Sequence, residues 1–307
     1  MNIVVLGAGA VGGYFGAKLA KAGYSVQFLV RKNRYEQLRE RGLQIESVHG
    51  NFTIQPQLIL STFDIEVPQL VIVALKNYHL QAALPQISAL VRNGAIVLPL
   101  LNGVQHMNIL LDAYGSSSVL GGTCYIETTL NPMGDIIHTS SLQHVVFGQI
   151  GDGISESFLS QVEDAFRKST VQVTASSSIM IEMWKKYLFL CTFSAITATT
   201  RQPIGVVRAD PVTLHFLEDL IAESVSVANA NGIELPEHIQ ELLMQQFLAV
   251  PASMTSSLHR DLEKGLRLEI DSIQGAMIEM GRTYGIPTPS LAAVFALLHP
   301  YKDGLPS

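Results

Sequence analysis

A glycine-rich segment near the N-terminus has the residue types and spacing of a phosphate-binding turn. Gly7 to Gly12 read G-A-G-A-V-G, which fits G-x-G-x-x-G; a β-branched run, Asn2–Leu6, precedes them and a helical pattern, Val11–Ala22, follows. Between a strand and a helix, the first glycine permits a tight turn, the second lets the backbone approach a pyrophosphate, and the third lets helix and strand pack closely. The free N–H groups of the helix N-terminus favour phosphate. The predicted dinucleotide-binding residues are Gly7, Gly9, Ala10, Val11 and Gly12.

A cation follows the second predicted strand, Ser25–Val30. Sites for NAD usually place Asp or Glu at this point to bind the ribose hydroxyls. Here the strand ends at Val30 and Arg31 follows it; Lys32 and Arg34 lie nearby, and the first acid is Glu36. A guanidinium can hold a 2′-phosphate through two parallel hydrogen bonds. The pattern therefore favours NADP(H) over NAD(H), and the alternative for Arg31 is an ordinary exposed loop cation.

Two lysines, Lys185 and Lys186, interrupt a predicted helix, Ile179–Thr199, that is otherwise apolar on nearly every face. A helix that is apolar on nearly every face is typically buried, and lysine is rarely buried without a partner. Either ammonium could reach solvent on its flexible stem, or one could face a cleft and protonate a developing alkoxide. Glu269 or Asp271, in an apolar segment, could pair with that lysine, although a surface carboxylate with a local partner is the alternative for Glu269.

The elements that must position these residues fall into two halves. Apolar runs at Leu70–Leu75 and Ala95–Leu100 predict two further buried parallel strands with a helix, His79–Leu90, between them. Alternating residues over Ser118–Gly148 predict an antiparallel hairpin added to this mostly parallel sheet. A helix at Ser155–Lys168 and a strand at Val171–Thr174 complete the first half, an α/β domain over residues 1–175.

The second half, residues 176–307, shows helical patterns without strand-like runs and is predicted to be an all-α domain. The predicted helices are Ile179–Thr199, Pro211–Asn231, Pro236–Val250, Ser256–Lys264, Arg267–Tyr284 and Pro289–His299.

The composition excludes several classes of protein. The 307 residues are 48% apolar and 15% charged, which argues against disorder, and the net charge of −6 argues against a nucleic-acid partner. Apolar runs fall short of the ~20 residues of a membrane span. Two cysteines, Cys124 and Cys191, favour a reducing cytoplasm over a disulfide framework. The nine histidines are scattered, so no metal site is predicted.

Six short motifs occur in order along the chain, and each of them alone is weak. They are the glycine segment, Ala74-Leu75-Lys76, Leu101-Asn102-Gly103, Glu182-Met183-Trp184-Lys185-Lys186, Ser256-Ser257-Leu258 leading to Asp261, and Leu268-Glu269-Ile270-Asp271. As an ordered set they resemble the ketopantoate reductase (2-dehydropantoate 2-reductase) family over nearly the whole chain. The resemblance implies an N-terminal Rossmann domain and a C-terminal helical domain. It also implies NADPH-dependent reduction of ketopantoate to pantoate in the pantothenate and coenzyme A pathway.

The resemblance also implies roles for individual residues. Lys186 matches the catalytic lysine, a general acid, and Glu269 matches the active-site glutamate. The remaining matches are Ser257 with the substrate-binding serine, Asn102 with the asparagine at the cofactor–substrate junction, Lys76 with the lysine lining the cofactor cleft, and Arg31 with the arginine that favours NADPH.

Two positions depart from the family pattern. Well-known members carry asparagines four and eight residues after the catalytic lysine, where this chain has Leu190 and Ser194. Because leucine cannot donate a hydrogen bond, a polar substrate would lose a partner there. Either the substrate is held differently, through Ser194, Ser257 or Thr197, or it is another 2-oxo acid.

Other functions stay open as alternatives. One is a β-hydroxyacid or opine-type dehydrogenase, although the paired Lys/Asn motif of β-hydroxyacid enzymes is not found. Another is a non-catalytic protein that senses NADP(H). The expected partner is a small-molecule 2-oxo acid substrate, with no nucleic-acid or membrane partner. A homodimer is expected because it is the commonest symmetric assembly.

Overall fold

The computed structural model describes residues 1–65 and 67–304. Ten strands account for the β structure of these residues. In chain order they are β1 (Asn2–Leu6), β2 (Ser25–Leu29), β3 (Leu43–Ser47), β4 (Phe52–Ile54), β5 (Gln57–Ile59), β6 (Leu70–Val73), β7 (Ile96–Pro99), β8 (Leu120–Leu130), β9 (Ile136–Gln149) and β10 (Gln172–Ala175).

The first sheet is parallel throughout, in the order β5-β2-β1-β6-β7. Every residue of β6, and all of β1 after Asn2, is buried, as expected for strands covered on both faces. The carboxyl ends of β1, β2 and β6 therefore lie along one edge, where the predicted cofactor residues follow each strand.

The second sheet is built around the hairpin of β8 and β9, with the order β10-β9-β3-β4 and β8 on the free side of β9. The hairpin is present as expected, but it pairs with β3 and β10 rather than with the parallel sheet. Among the described residues an isolated bridge, Val97 to Val119, connects it toward β7. Strands β3, β4 and β5 were not predicted, because each has at most five residues of mixed polarity.

Twelve α-helices complete the described structure. Five precede residue 170: α1 (Ala10–Lys21), α2 (Lys32–Arg41), α3 (Leu80–Arg92), α4 (Gln105–Tyr114) and α5 (Glu156–Lys168). Seven follow: α6 (Ile179–Thr200), α7 (Ile204–Ala209), α8 (Pro211–Ala230), α9 (Ile239–Ala249), α10 (Ser257–Glu263), α11 (Ala276–Tyr284) and α12 (Pro289–Leu298). None of the described helices is both long enough and apolar enough to cross a bilayer. The predicted fold class, an α/β part followed by a helical part, is confirmed.

The chain divides into two units at Glu182/Met183, and the short segment Asn102–Gln105 belongs to the second unit. The sequence predicts the boundary between the α/β domain and the all-α domain at residue 175. The difference arises because the first turn of α6 packs within the first unit. A Cβ on Gly121 would lie 2.8 Å from the Ile179 side chain, and one on Gly148 would lie 3.1 Å from the Ile179 Cβ.

The expectation of one helix over Arg267–Tyr284 is wrong at its start. Residues 266–269 are not helical, and the Leu268 N–H donates to the Lys302 carbonyl at 2.8 Å. A π-helical turn, Asp271–Gly275, then precedes α11. Such turns are frequent at functional sites, and here the turn begins two residues after Glu269.

Two helices of the second unit, α8 and α12, have carboxylates that accept hydrogen bonds from their first N–H groups. Asp210 accepts hydrogen bonds from the N–H groups of Val212 and Thr213 at the start of α8. Glu223, within α8, accepts from the N–H groups of Ser290 and Leu291 at 2.7 and 2.9 Å. A carboxylate at a helix N-terminus is favoured by the helix dipole, so Glu223 fastens α12 to α8.

Candidate functional site

At two positions of the glycine turn after β1, any side chain would clash with neighbouring atoms. Gly7 has φ +104°, and a Cβ there would lie 2.7 Å from the Ala74 carbonyl oxygen. A Cβ on Gly12 would lie 2.1 Å from the Gly7 carbonyl oxygen and 2.9 Å from the Ala74 Cβ. The turn is therefore pressed against the segment that follows β6.

Gly9 differs, because a Cβ there would meet no atom within 4 Å. It is the N-cap residue of α1, its backbone is extended, and no side chain of residues 1–65 or 67–304 caps the helix. The first turn of α1 holds no acid. This end of the helix thus combines open space, N–H groups free of side-chain caps and the positive end of the helix dipole. These features fit the pyrophosphate of a dinucleotide.

Two arginines lie beyond β2. Arg31 is exposed and is the N-cap residue of α2. One turn later Arg34 is half-buried: its Nε donates to the Ala8 carbonyl at 3.0 Å and its Nη1 to the Gly134 carbonyl at 2.9 Å. The sequence placed Arg34 near Arg31 but gave no sign of its contact with the glycine turn, since that contact depends on the packing of α2.

Lys76 lies on the segment against which the glycine turn packs. The Ala74 N–H continues the sheet by donating to the Leu6 carbonyl at 3.0 Å. Lys76 follows two residues later, half-buried, as the N-cap residue of a short 3₁₀ turn, Asn77–His79. The structure therefore brings the segments of Gly7 and Lys76 together at the carboxyl edge of the parallel sheet.

The second unit brings three other predicted segments together. Gly103, next to Asn102, has φ +77°, and a Cβ there would lie 3.1 Å from the Ser272 carbonyl oxygen and 3.7 Å from the Tyr187 ring. Tyr187 follows Lys186 on α6, and Ser272 is three residues after Glu269. Asn102, Lys186 and Glu269 thus lie on segments that meet within one unit.

Glu269 is 4% exposed, so the alternative of a surface carboxylate is wrong. Its carbonyl oxygen accepts from the Ile273 N–H and from the Ser272 hydroxyl, both at 3.1 Å, which fixes the start of the π-helical turn. Asp271, the other carboxylate considered, is exposed. Lys185 and Lys186 are both half-buried.

Tyr187 joins α6 to the π-helical turn. Its hydroxyl donates to the Ile273 carbonyl at 2.6 Å. Burial raises the pKa of Tyr187 well above its ordinary value, so the phenol stays protonated and continues to donate. In the sequence, Tyr187 is one of the apolar residues of its helix and its partner cannot be identified. The signal was its hydroxyl, because a buried tyrosine usually finds a hydrogen-bond partner.

The serines divide into two kinds. Ser257 is half-buried at the first position of α10, next to Ser256, whose hydroxyl caps that helix and accepts from Thr197. Ser194 has no exposed surface: its hydroxyl donates to the Cys191 carbonyl and accepts from Gln274 Nε2. We therefore leave Ser194 out of the proposed substrate contacts.

Leu190, the other position that departs from the family pattern, lies one turn from Lys186 on α6 and is half-buried.

Comparison with known proteins gives consistent matches over the whole chain. Residues 3–152 match the family model for Ketopantoate reductase PanE/ApbA, and residues 178–302 match the model for its C-terminal part. The uncharacterized oxidoreductase YkpB of Bacillus subtilis is 34% identical over 306 residues, which cover 98% of this chain and 99% of the relative. A 2-dehydropantoate 2-reductase of Nostoc is 27% identical over 309 residues, covering 98% and 94%.

Solved structures agree with these matches. A 2-dehydropantoate 2-reductase from Geobacter metallireducens aligns with a TM-score of 0.89 at 25% identity, covering 98% of this chain and 99% of the other. A D-mandelate dehydrogenase, solved with NADH and anilino(oxo)acetate, has the same fold, with a TM-score of 0.89 at 24% identity and 98% of each chain covered.

Proposed function

Because the chain belongs to the ketopantoate reductase family, we propose that it reduces 2-dehydropantoate (ketopantoate) to pantoate with NADPH. The observation that carries the proposal is the meeting of the segments of Asn102, Lys186 and Glu269 around Gly103, Tyr187 and Ser272. On these segments the sequence predicts a polar amide at Asn102, a general acid at Lys186 and a carboxylate at Glu269. A homodimer and a cytoplasmic location belong to the same proposal.

The cofactor part of the proposal rests on the uncapped start of α1 and the open space at Gly9. The exposed guanidinium of Arg31 would bind the 2′-phosphate, and the first turn of α2 has no acid to repel it. The residues proposed to hold NADP(H) are Gly7, Gly9, Ala10, Val11, Gly12, Arg31, Lys76 and Asn102.

In the proposed reaction, NADPH held by these residues would supply the hydride that the 2-keto carbon takes up. Lys186 donates a hydrogen bond to the keto oxygen and then a proton, so that the oxygen becomes a hydroxyl and the lysine a neutral amine. Solvent returns the proton to the amine. Glu269, a buried carboxylate, orients the ammonium or accepts a hydrogen bond from the product hydroxyl, and Asn102 and Ser257 hold the substrate.

A second candidate is the reduction of another 2-oxo acid. It is favoured by two neighbours of Lys186 on α6: Leu190 offers no hydrogen bond, and the Ser194 hydroxyl is buried and engaged within the unit. A substrate with an apolar side chain would lose nothing there, whereas a hydroxylated one would lack a partner.

The test is a turnover assay with the purified protein, in which the loss of reduced-nicotinamide absorbance is followed with NADPH and with NADH. The substrates are ketopantoate, 2-oxoisovalerate, 4-methyl-2-oxopentanoate and phenylglyoxylate. The highest kcat/KM with ketopantoate and NADPH supports the main proposal, and a higher value with another acid supports the second candidate. Tight NADPH binding without turnover of any acid contradicts both and points to a sensor.

A further inference from the structure

Arg34 connects three segments of the first unit. From α2 its Nε donates to the Ala8 carbonyl, inside the glycine turn, and its Nη1 donates to the Gly134 carbonyl in the β8–β9 turn and to Gln37 Oε1. The turn lies so close to α2 that a Cβ on Gly134 would be 2.6 Å from Arg34 Nη1. The guanidinium is thus held by neighbours on both sides.

The remaining nitrogen, Nη2, is buried and has no hydrogen-bond partner among the described residues. A phosphate that approached from solvent would therefore meet Arg31, which is exposed, rather than Arg34. Ala8 itself is buried at 4% exposure and lies between Gly7 and Gly9. The Nε–Ala8 hydrogen bond acts on the backbone of the turn and not on its ligand.

We propose that Arg34 is a positioning residue for the dinucleotide: by holding the Ala8 carbonyl it fixes the glycine turn in the shape that receives the pyrophosphate. The inference rests on the proposed function, since it takes the turn to bind a dinucleotide. Because the pyrophosphate is common to NADPH and NADH, Arg34 supports the binding of both cofactors equally. In this it differs from Arg31, whose proposed contact is the 2′-phosphate alone.

Arg41 provides a matched control on the same helix. It donates to the Met133 carbonyl at 2.7 Å and forms an ion pair with Asp135 at 3.3 Å. Like Arg34, it therefore binds the β8–β9 turn. Its described hydrogen bonds do not include the glycine turn. Replacement of Arg41 therefore removes contacts to the β8–β9 turn while leaving the Ala8 hydrogen bond in place. The cofactor affinity of such a variant measures the effect of the β8–β9 turn alone.

The experiment measures the Kd of NADPH and of NADH, by nicotinamide fluorescence, for wild type and for Arg34→Met, Arg34→Lys, Arg31→Met and Arg41→Met, together with KM and kcat. Arg34→Met should raise both Kd values about tenfold and by the same factor, with kcat at saturating cofactor unchanged. Arg31→Met should weaken NADPH alone, and Arg41→Met should change neither. If Arg34→Met does not fold, Arg34→Lys, which keeps the charge but loses the fork geometry, should show a smaller, equal loss for both cofactors.

A loss confined to NADPH in the Arg34 variants would overturn the inference in favour of a 2′-phosphate contact. Equal losses in Arg34→Met and Arg41→Met would overturn it in favour of simple anchoring of the β8–β9 turn. Failure of the wild-type protein to bind either dinucleotide would be a different result, because it would overturn the proposed function first.

Discussion

The Tyr187 hydroxyl and the Ile273 carbonyl oxygen are joined by a buried hydrogen bond of 2.6 Å. Tyr187 is the residue after Lys186, and Ile273 lies in the π-helical turn that follows Glu269. A second link runs parallel to it, because Gln274 Nε2 donates to the Cys191 carbonyl at 2.9 Å. The same Nε2 also donates to the Ser194 hydroxyl at 2.7 Å. Hydrogen bonds between α6 and this turn therefore constrain the separation of the proposed acid from the proposed carboxylate.

Replacement of Lys186 tests the proposed general acid. Lys186→Ala should lower kcat by about 10²–10⁴-fold, because no group would then protonate the developing alkoxide. Cofactor affinity should change little. The neighbouring Lys185→Ala is the matched control and should keep near-normal turnover, as measured by the nicotinamide assay. Loss of activity in Lys185→Ala with retention in Lys186→Ala would show that the residues have been assigned the wrong way round.

Replacement of Tyr187 tests the link between the two segments. Tyr187→Phe removes the hydroxyl and leaves the Ile273 carbonyl without this donor, so unfolding free energy should fall by about 1–3 kcal/mol. Turnover should fall about tenfold, because small displacements of reacting groups are costly. Thr192→Val is the control: it removes a buried hydroxyl that bonds within α6 to the Leu188 carbonyl. It should lower stability without lowering turnover, and equal turnover losses in both variants would contradict the positioning role.

Stability should fall in mild acid because of His138. This ring is 2% exposed and lies between the Ser47 hydroxyl and the Leu142 carbonyl, each at 2.9 Å. Burial lowers the pKa of His138, and the charges of His49 and Lys18 lower it further, against the raising effect of the Leu142 carbonyl and Glu127. As the pH falls below about 6.5, the unfolded chain takes up a proton that the folded chain resists.

The contribution of His138 to stability is therefore complete above about pH 6.5 and is lost as the pH falls through the lower pKa of the folded state. Urea denaturation at about pH 7.5 and about pH 5.5 measures it. His138→Gln should show a smaller loss of stability between these pH values than wild type. An unchanged pH dependence in His138→Gln would refute this assignment.

The cap that Glu223 provides to α12 can be measured directly. Glu223→Ala removes both acceptors of the Ser290 and Leu291 N–H groups and should cost about 1–2 kcal/mol of unfolding free energy. Glu223→Gln keeps one carbonyl oxygen and should cost less. Thermal or chemical denaturation distinguishes the two, and an equal effect of both substitutions would mean that the carboxylate charge, not the hydrogen bonds, matters at this position.

Local residue types predicted the features that are decided locally. Gly7 and Gly12 could be identified because their steric requirement comes from the turn itself, and the buried strands β1 and β6 because they are continuous apolar runs. The short strands β3 to β5 could not be predicted, because their pairing depends on partners that are distant in the sequence, such as β9 for β3.

The candidate site was harder to predict than the fold. The burial of Glu269 depends on residues 266–269 leaving the helical path, and Leu268 pairs there with Lys302, 34 residues later. The engagement of Ser194 depends on Gln274, and that of Arg34 on the packing of α2 against two turns. None of these contacts leaves a periodic signal in the sequence, because each joins segments whose spacing is set by tertiary structure.

The π-helical turn, Asp271–Gly275, constrains the length of the chain at this point. A turn of this kind carries one residue more than an α-helical turn, and each helical residue corresponds to a rotation of about 100°. Loss of a single residue here would rotate everything upstream, Glu269 included, to another side of the axis of α11. Asp271 is exposed. A substitution there is therefore expected to leave that geometry intact, whereas the loss of one residue would not.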